Sequence, residues 1–281
     1  AQRQEITMTQ RATAVLLLFL SVFLLSAVNA SETRVISLVP SQTEMIYALG
    51  LENCMVGRSD YCNFPPEAQQ KPSIGNMELN IEKIVSLRPT LLLDTNGMHQ
   101  RYAPLFQQLG LRYVNMPTTS LQQVKEAAAK VAELLGNPKA GERFSEDWDA
   151  RLRRIAPDQS EKPVSVYFEI WDTPTQAAGD SSFIGEIIRQ AGGRNIYASQ
   201  GDYPVVNPET LLKEDPEVIL LSYPVTSLEN IKKRPGWSTL RAIKGNHLYA
   251  LDQDLFVRPG PRNLNAVDRL HEIFKKVRSN E

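Results

Sequence analysis

Short apolar runs alternate with amphipathic stretches along the chain, and this alternation predicts a series of strands and helices. A buried strand is a run of about four to eight apolar or β-branched residues bounded by turn residues. Arg34–Pro40 (RVISLVP) is the first such run. Further strands are expected at residues 55–57, 90–94, 111–115, 164–170, 218–222 and 247–252.

Capping residues and apolar periodicity predict helices between these strands. Ser41 with Glu44 three residues later has the form of a capping box, so the first helix is expected to start after Ser41. The other helices are expected at residues 81–87, 105–109, 120–135, 183–191, 207–214 and 262–277. Strands that alternate with helices form mainly parallel sheets covered on both faces, so the predicted fold class is α/β.

One long helix is predicted at residues 138–156, between two α/β halves. Its apolar residues Phe144, Trp148, Leu152 and Ile155 follow one another at spacings of four, four and three, as in an amphipathic helix. A helix packed on both halves permits only small relative movements, unlike a Gly/Ser-rich linker. We therefore expect an N-terminal lobe at 31–137, a connecting helix at 138–160 and a C-terminal lobe at 161–281.

The two predicted lobes share a sequence pattern. Asn80, Glu82 and Pro89 recur 127 residues later as Asn207, Glu209 and Pro216, and each Pro precedes a strand. Two related lobes follow from this repeat. Ligands of such proteins bind in the crevice at the carboxyl ends of the strands.

Residues 1–30 have the pattern of a secretory signal peptide. Arg11 precedes the apolar run Ala14–Val28, and the small residues Val28 and Ala30 occupy the positions before a cleavage site. The alternative is a membrane anchor, but the run is shorter than the about 20 residues of a spanning helix. Export with cleavage near Ser31 is therefore expected, without a lipid anchor, because the first cysteine is Cys54.

Composition narrows the class of protein further. The chain has 281 residues, of which 42% are hydrophobic, and its net charge is -1. A general nucleic-acid binder needs a basic surplus, which is absent. The three histidines and two cysteines form no metal-binding motif, and neither a phosphate-binding loop nor a hydrolase motif occurs. No cofactor and no catalysis are expected, with an exported enzyme as the remote alternative.

Cys54 and Cys62 lie eight residues apart. An oxidising compartment permits a disulfide between them. Spacing alone cannot decide between this bridge and two separate thiols, because the Cα separation must also be right.

Several segments resemble one protein family. RVISLVPSQTEMIYALG, SDYCNFPPEA, LNIEKIVSLRPTLLL, SFIGEIIRQAGGRNIYA, NPETLLKEDPEVILL and DLFVRPGPR are similar to the periplasmic binding proteins of cobalamin-type ABC importers. The wider group includes haem- and ferric-siderophore-binding proteins, and the similarity is strongest to the vitamin B12 branch. The resemblance implies two Rossmann-like lobes joined by one backbone helix (class III), acting as a periplasmic monomer.

The resemblance also implies roles for individual residues. Tyr61, Tyr203, Asp254 and Arg258 match ligand-contacting positions of the B12 branch, although Tyr203 stands where that branch has Trp. Glu82 and Glu209 match the carboxylates that dock the lobes onto a permease dimer, which works with an ATPase.

The resemblance has one departure, which concerns the ligand. An aromatic residue of the B12 branch aligns near Asn76, and Trp171 is a candidate replacement. The ligand implied is therefore cobalamin or another corrinoid, with haem or a siderophore as alternatives. Phe256 is a further candidate for the cleft, and His99 a candidate axial ligand for a bound metal.

Overall fold

The computed structural model describes residues 33–158 and 160–279. The predicted signal peptide lies outside these residues. Within them, no helix is both long and apolar enough to cross a membrane.

The first lobe is built around a four-stranded parallel sheet. Its strands are β1 (Val35–Ser37), β2 (Met55–Arg58), β3 (Leu91–Thr95) and β4 (Tyr113–Met116), in the order β2-β1-β3-β4. Its helices are α1 (Pro40–Ala48), α2 (Ile81–Ser86), α3 (Ala103–Gln108) and α4 (Leu121–Leu134). Leu91 and Leu93 pack on one face of the sheet and Leu92 on the other, so both faces are buried.

Helix α5 (Pro138–Ile155) follows the first lobe and contacts both lobes. The Asn137 side chain caps it by accepting a hydrogen bond from the Ala140 N–H. Gly141 lets α5 approach α4 closely, because a Cβ there would lie 2.9 Å from the Ala129 Cα. Further along α5, Arg151 pairs with Asp268 of the last helix. The predicted long helix is therefore present and packs on both sides.

The second lobe contains a five-stranded sheet. Its strands are β5 (Val164–Asp172), β6 (Thr175–Ala177), β7 (Gly193–Asn195), β8 (Val218–Leu221) and β9 (Leu248–Ala250). One edge of β5 pairs first with β7 in parallel and then with β6 in antiparallel, while its other edge pairs with β8. The helices are α6 (Phe183–Gln190), α7 (Pro208–Glu214), α8 (Leu228–Lys232), α9 (Arg241–Lys244), α10 (Gln253–Val257) and α11 (Asn263–Ser279).

The parallel strands of the two lobes have the same order. In each lobe the first strand is flanked by the second and third, and the fourth lies beyond the third. The repeated Asn residues, Asn80 and Asn207, each cap the helix that precedes the third strand. The sequence repeat thus reflects two copies of one topology.

Several details differ from the sequence analysis. The capping box was wrong: α1 begins at Pro40, with Val39 as its N-cap, because proline is favourable in the first turn of a helix. The Ser41 hydroxyl instead donates to Thr95, and Glu44 pairs with Arg262 of the second lobe. Strands β6 and β7 were also missed, because their sequences, TQA and GRN, contain no apolar run. Helices α8, α9 and α10 were missed because four or five residues are too few to show a period.

Candidate functional site

A cavity of about 520 Å³ lies between the lobes. In the first lobe it is formed where β1, β3 and β4 end, as expected for a ligand crevice at the carboxyl ends of parallel strands. Its volume is within the range of about 300–1,000 Å³ that is typical of small-molecule sites. The lining residues are Val39, Pro40, Ser41, Tyr61, Thr95, Asn96, Met98, Thr118, Thr119, Ser181, Ser182, Phe183, Asp202, Tyr203, Val257, Arg258 and Pro259.

The lining includes three of the five predicted ligand-binding residues. Tyr61 enters from the first lobe, and Tyr203 and Arg258 enter from the second. Tyr61 is 54% exposed and Tyr203 47%, so both rings offer apolar surface that is not yet buried. Burial, followed by the nearby Asp202 carboxylate, raises the pKa of the Tyr203 phenol, which therefore stays protonated as a hydrogen-bond donor.

Trp171 is outside this lining, near the end of β5. It pairs with Gln176 of β6, which in turn bridges to Val205. Directly paired residues of neighbouring strands project to the same face of a sheet, so Val205 shares the face of Trp171. Trp171 and Val205 are 51% and 61% exposed, so this face of the second lobe carries exposed apolar surface outside the cavity lining.

Hydroxyl and amide groups make up the polar part of the first-lobe wall. The Ser41 hydroxyl lies 3.2 Å from the Thr95 Oγ1, which also accepts from the Gln42 amide at 2.8 Å. The Asn96 amide donates to the Thr118 hydroxyl at 3.2 Å. This wall suits a ligand with neutral polar groups, because it offers donors and acceptors without net charge.

Asp254 and Arg258 form a polar pair that meets the first lobe. The Arg258 Nη2 lies 2.9 Å from the Asp254 Oδ1. The Asn63 side chain, from the loop that carries Tyr61, donates to the Asp254 Oδ2 at 3.1 Å and accepts from the Arg258 Nη1 at 2.5 Å. Arg258 lines the cavity, and Asp254, which is outside the lining, is paired directly with it.

An ion pair with a buried carboxylate lies beside this contact and joins the lobes. Glu44 of α1 is 3% exposed and accepts two hydrogen bonds from Arg262, at 2.8 and 2.7 Å. The Arg262 guanidinium also stacks 4.0 Å from the centre of the Phe64 ring, a cation–π contact. On the far side of the cavity, the Leu121 N–H of α4 donates to the Glu186 carboxylate of α6 at 2.8 Å. Polar contacts between the lobes thus flank the cavity on both sides.

His99 is not placed to bind a ligand. It is 2% exposed, with its Nδ1 3.2 Å from the Asp94 Oδ1 and its Nε2 3.0 Å from the Asn76 carbonyl oxygen. Burial opposes ionisation of Asp94, but hydrogen bonds from His99 and Tyr113 outweigh it and lower the pKa of the carboxyl. With both nitrogens engaged, His99 cannot serve as the axial metal ligand considered from the sequence. Among the described residues, no group of three or more His, Cys, Asp or Glu side chains is arranged to hold a metal ion.

Glu82 and Glu209 are exposed at matching places in the two lobes. Each is the second residue of its helix, α2 or α7, and each helix is capped by the preceding Asn. The Asn80 side chain accepts from the Lys83 N–H, and the Asn207 side chain from the Glu209 N–H, both at 2.8 Å. Both carboxylates are exposed, and neither forms an ion pair or a side-chain hydrogen bond with another described residue.

Two other candidates lie away from the cavity. Cys62 is a buried free thiol, so no disulfide joins it to Cys54, and burial raises the pKa of the thiol. Phe256 is fully buried against Phe168, with the ring centres 5.5 Å apart, so the prediction that Phe256 lines the cleft was wrong.

Several lining residues were missed from the sequence, although a signal was available. Thr95 ends β3 and Asn96 follows it, and Thr118 and Thr119 follow β4, where ligand-contacting residues of parallel sheets gather. Nothing in the sequence marked Asn63, because its partners lie in the other lobe.

Comparison with known proteins gives the family. A model of the family described as periplasmic binding protein matches residues 35–255, which is most of the chain. The chain belongs to the periplasmic binding protein family. The sequence-based assignment to this family and to its α/β class is therefore confirmed.

Relatives in this family are binding proteins of transport systems, as the sequence led us to expect. The vitamin B12-binding protein of Vibrio cholerae serotype O1 is 30% identical over 94% of this chain and 97% of its own length. An uncharacterised ABC transporter substrate-binding lipoprotein of Bacillus subtilis is 28% identical, over 85% of this chain and 79% of its own.

Solved structures of family members have the same fold. The periplasmic vitamin B12-binding protein of Vibrio cholerae matches with a TM-score of 0.73 at 28% identity, over 87% of this chain and 97% of that one. The periplasmic haem-binding protein of Roseiflexus sp. RS-1 matches with a TM-score of 0.76 at 27% identity, over 88% and 99% of the two chains. The solved relatives thus include both a vitamin B12-binding protein and a haem-binding protein.

Proposed function

We propose that this protein is a periplasmic substrate-binding protein that captures a corrinoid, such as cobalamin, between its lobes and delivers it to an ABC importer. The observation that carries this proposal is the cavity itself. It combines two exposed tyrosine rings with a wall of hydroxyls and amides. A corrinoid has a broad apolar face and a rim of primary amides, which these two kinds of surface complement.

Charge favours a corrinoid over haem. The charged side chains in the lining are Asp202 and Arg258, which cancel each other. Haem carries two carboxylates, which would need cations, and Arg258 is already paired with Asp254. Burying an unpaired carboxylate is costly, whereas the neutral amides of a corrinoid can be met by the hydroxyls.

Haem remains the second candidate because the cavity contains Tyr61 and Met98, whose oxygen and sulfur atoms can coordinate iron. Tyr203 is less suited to this role, since the raised pKa of its phenol opposes the phenolate that ferric iron prefers. A siderophore would use the same cavity.

The mature protein should bind cyanocobalamin and cobinamide, and Tyr61→Ala and Tyr203→Ala should each weaken binding about tenfold, because each loses an aromatic wall. Isothermal titration with cyanocobalamin, cobinamide and haem in parallel measures this. Leu109→Ala, which removes an exposed apolar side chain elsewhere, is the matched control and should change nothing. Binding of haem alone would replace the corrinoid proposal, and failure of all three ligands would overturn both.

The remaining parts of the proposal concern location and partners. A chain of this family with a signal peptide at residues 1–30 would act in the periplasm as a monomer. Glu82 and Glu209 would dock its two lobes onto the permease dimer, since exposed carboxylates at equivalent positions suit a symmetric pair of arginine sites. The same proposal includes the predicted division of the chain into an N-terminal lobe that ends at residue 137, a connecting helix at 138–160 and a C-terminal lobe that begins at 161.

A further inference from the structure

Asn63 makes an unusual contact for an exposed side chain. Its carboxamide reaches from the first lobe to the Asp254–Arg258 pair of the second, donating to the carboxylate and accepting from the guanidinium. The chemistry fixes the orientation of the amide. A flipped amide would place its oxygen, an acceptor, against the Asp254 carboxylate, which only accepts hydrogen bonds. It would also place its NH₂ group, a donor, against Arg258, which only donates them.

This pair is built to recognise a primary carboxamide. Asp254 only accepts hydrogen bonds and Arg258 only donates them, and they lie side by side at 2.9 Å. A primary amide satisfies both at once. A carboxylate could accept from Arg258 but would be repelled by Asp254, and an ammonium group would show the opposite mismatch.

Arg258 also lines the cavity, so a ligand there lies beside the pair that Asn63 occupies. We propose that Asn63 is a built-in competitor, whose carboxamide occupies the Asp254–Arg258 pair until a primary amide of the ligand displaces it. This inference rests on the proposed function and names the chemical group that the site selects.

The loop that carries Asn63 has a second anchor. Phe64 stacks on the Arg262 guanidinium, and Arg262 is held by the buried Glu44. Loss of the Asn63 contact therefore leaves the loop attached to the second lobe. Displacement of Asn63 needs only a side-chain movement, so Tyr61 can stay at the cavity while the pair changes partner.

Asn63→Ala should bind cobinamide and cyanocobalamin about tenfold more tightly than the unchanged protein, because the ligand no longer competes with two internal hydrogen bonds. Affinity for haem should change by less than about twofold, since a carboxylate cannot use the freed pair. Titration of both variants with the three compounds measures these changes. A gain in affinity is a result that a purely structural role of Asn63 would not produce.

Two controls make the result specific. Phe64→Leu loosens the same loop without freeing the pair, so it should give no gain, and Asn230→Ala removes an exposed asparagine on α8 and should be neutral. Equal or weaker corrinoid binding by Asn63→Ala would overturn the role of Asn63 and leave the proposed function standing. An equal gain for haem would overturn selection of an amide. Binding of none of the three compounds to either variant would overturn the proposed function, and this inference with it.

Discussion

The double variant Glu82→Ala/Glu209→Ala should bind its ligand as tightly as the unchanged protein but should not support uptake through an ABC importer. Both carboxylates are exposed on helices α2 and α7, and neither helix contributes to the cavity lining among the described residues. Each carboxylate can form charge-assisted hydrogen bonds worth about 1.5–3 kcal/mol, so loss of both should weaken docking by about 100-fold or more. Ligand uptake into vesicles that contain the importer measures this, with titration as the check on binding.

The matched control for this experiment is Glu133→Ala/Glu146→Ala, which removes the same charge from exposed positions on helices α4 and α5. This control should transport normally, because its carboxylates are not at equivalent positions of the two lobes. Each single variant, Glu82→Ala or Glu209→Ala, should retain part of the activity, since one lobe still docks. Normal uptake by the double variant would contradict the docking role, whatever the ligand proves to be.

The sequence was a good guide to elements that carry their own pattern. The long apolar period of α5 and the continuous apolar runs of β3 and β8 are visible without any tertiary information. Helix α1 shows the limit of local signals. Ser41 and Glu44 have the spacing of a capping box, but the proline before them fixes the start of the helix and releases both side chains for distant contacts.

The cavity could be predicted only in part, for a physical reason. Tyr61 lies in a loop after a predicted strand and Tyr203 in a loop between predicted strands, and the family resemblance pointed to both. Trp171 lies outside the lining, where β6 folds back on β5, and its contact with a ligand stays a prediction. Asn63 was missed, because its role depends on two groups almost 200 residues away along the chain.

Replacing Glu44 should cause the largest loss of stability of any change described here. Glu44→Ala leaves the partly buried Arg262 without its carboxylate and also removes the charge that lies 3.7 Å from Arg258. Removing one partner of a buried ion pair costs about 3–5 kcal/mol. Because Arg262 keeps some contact with water, we expect the free energy of unfolding to fall by about 2–3 kcal/mol, measured by urea denaturation. Asp268→Ala breaks the more exposed ion pair between Arg151 of α5 and Asp268 of α11. This change should lower the free energy of unfolding by less than about 1 kcal/mol.

A double-mutant cycle separates the ion pair from general damage to the interface. Arg262→Met keeps most of the apolar surface against Phe64 while removing the charge, and Glu44→Gln keeps the shape of the carboxylate. If Glu44 and Arg262 act as a pair, the double variant should be more stable than the sum of the single losses implies, by about 1–3 kcal/mol. Additive losses would mean that each residue stabilises its own lobe. Because these residues join the lobes beside the Asn63 contact, coupling between Glu44 and Arg262 would show that this ion pair holds the lobes together. The pair would then stay in place next to the contact that we propose the ligand displaces.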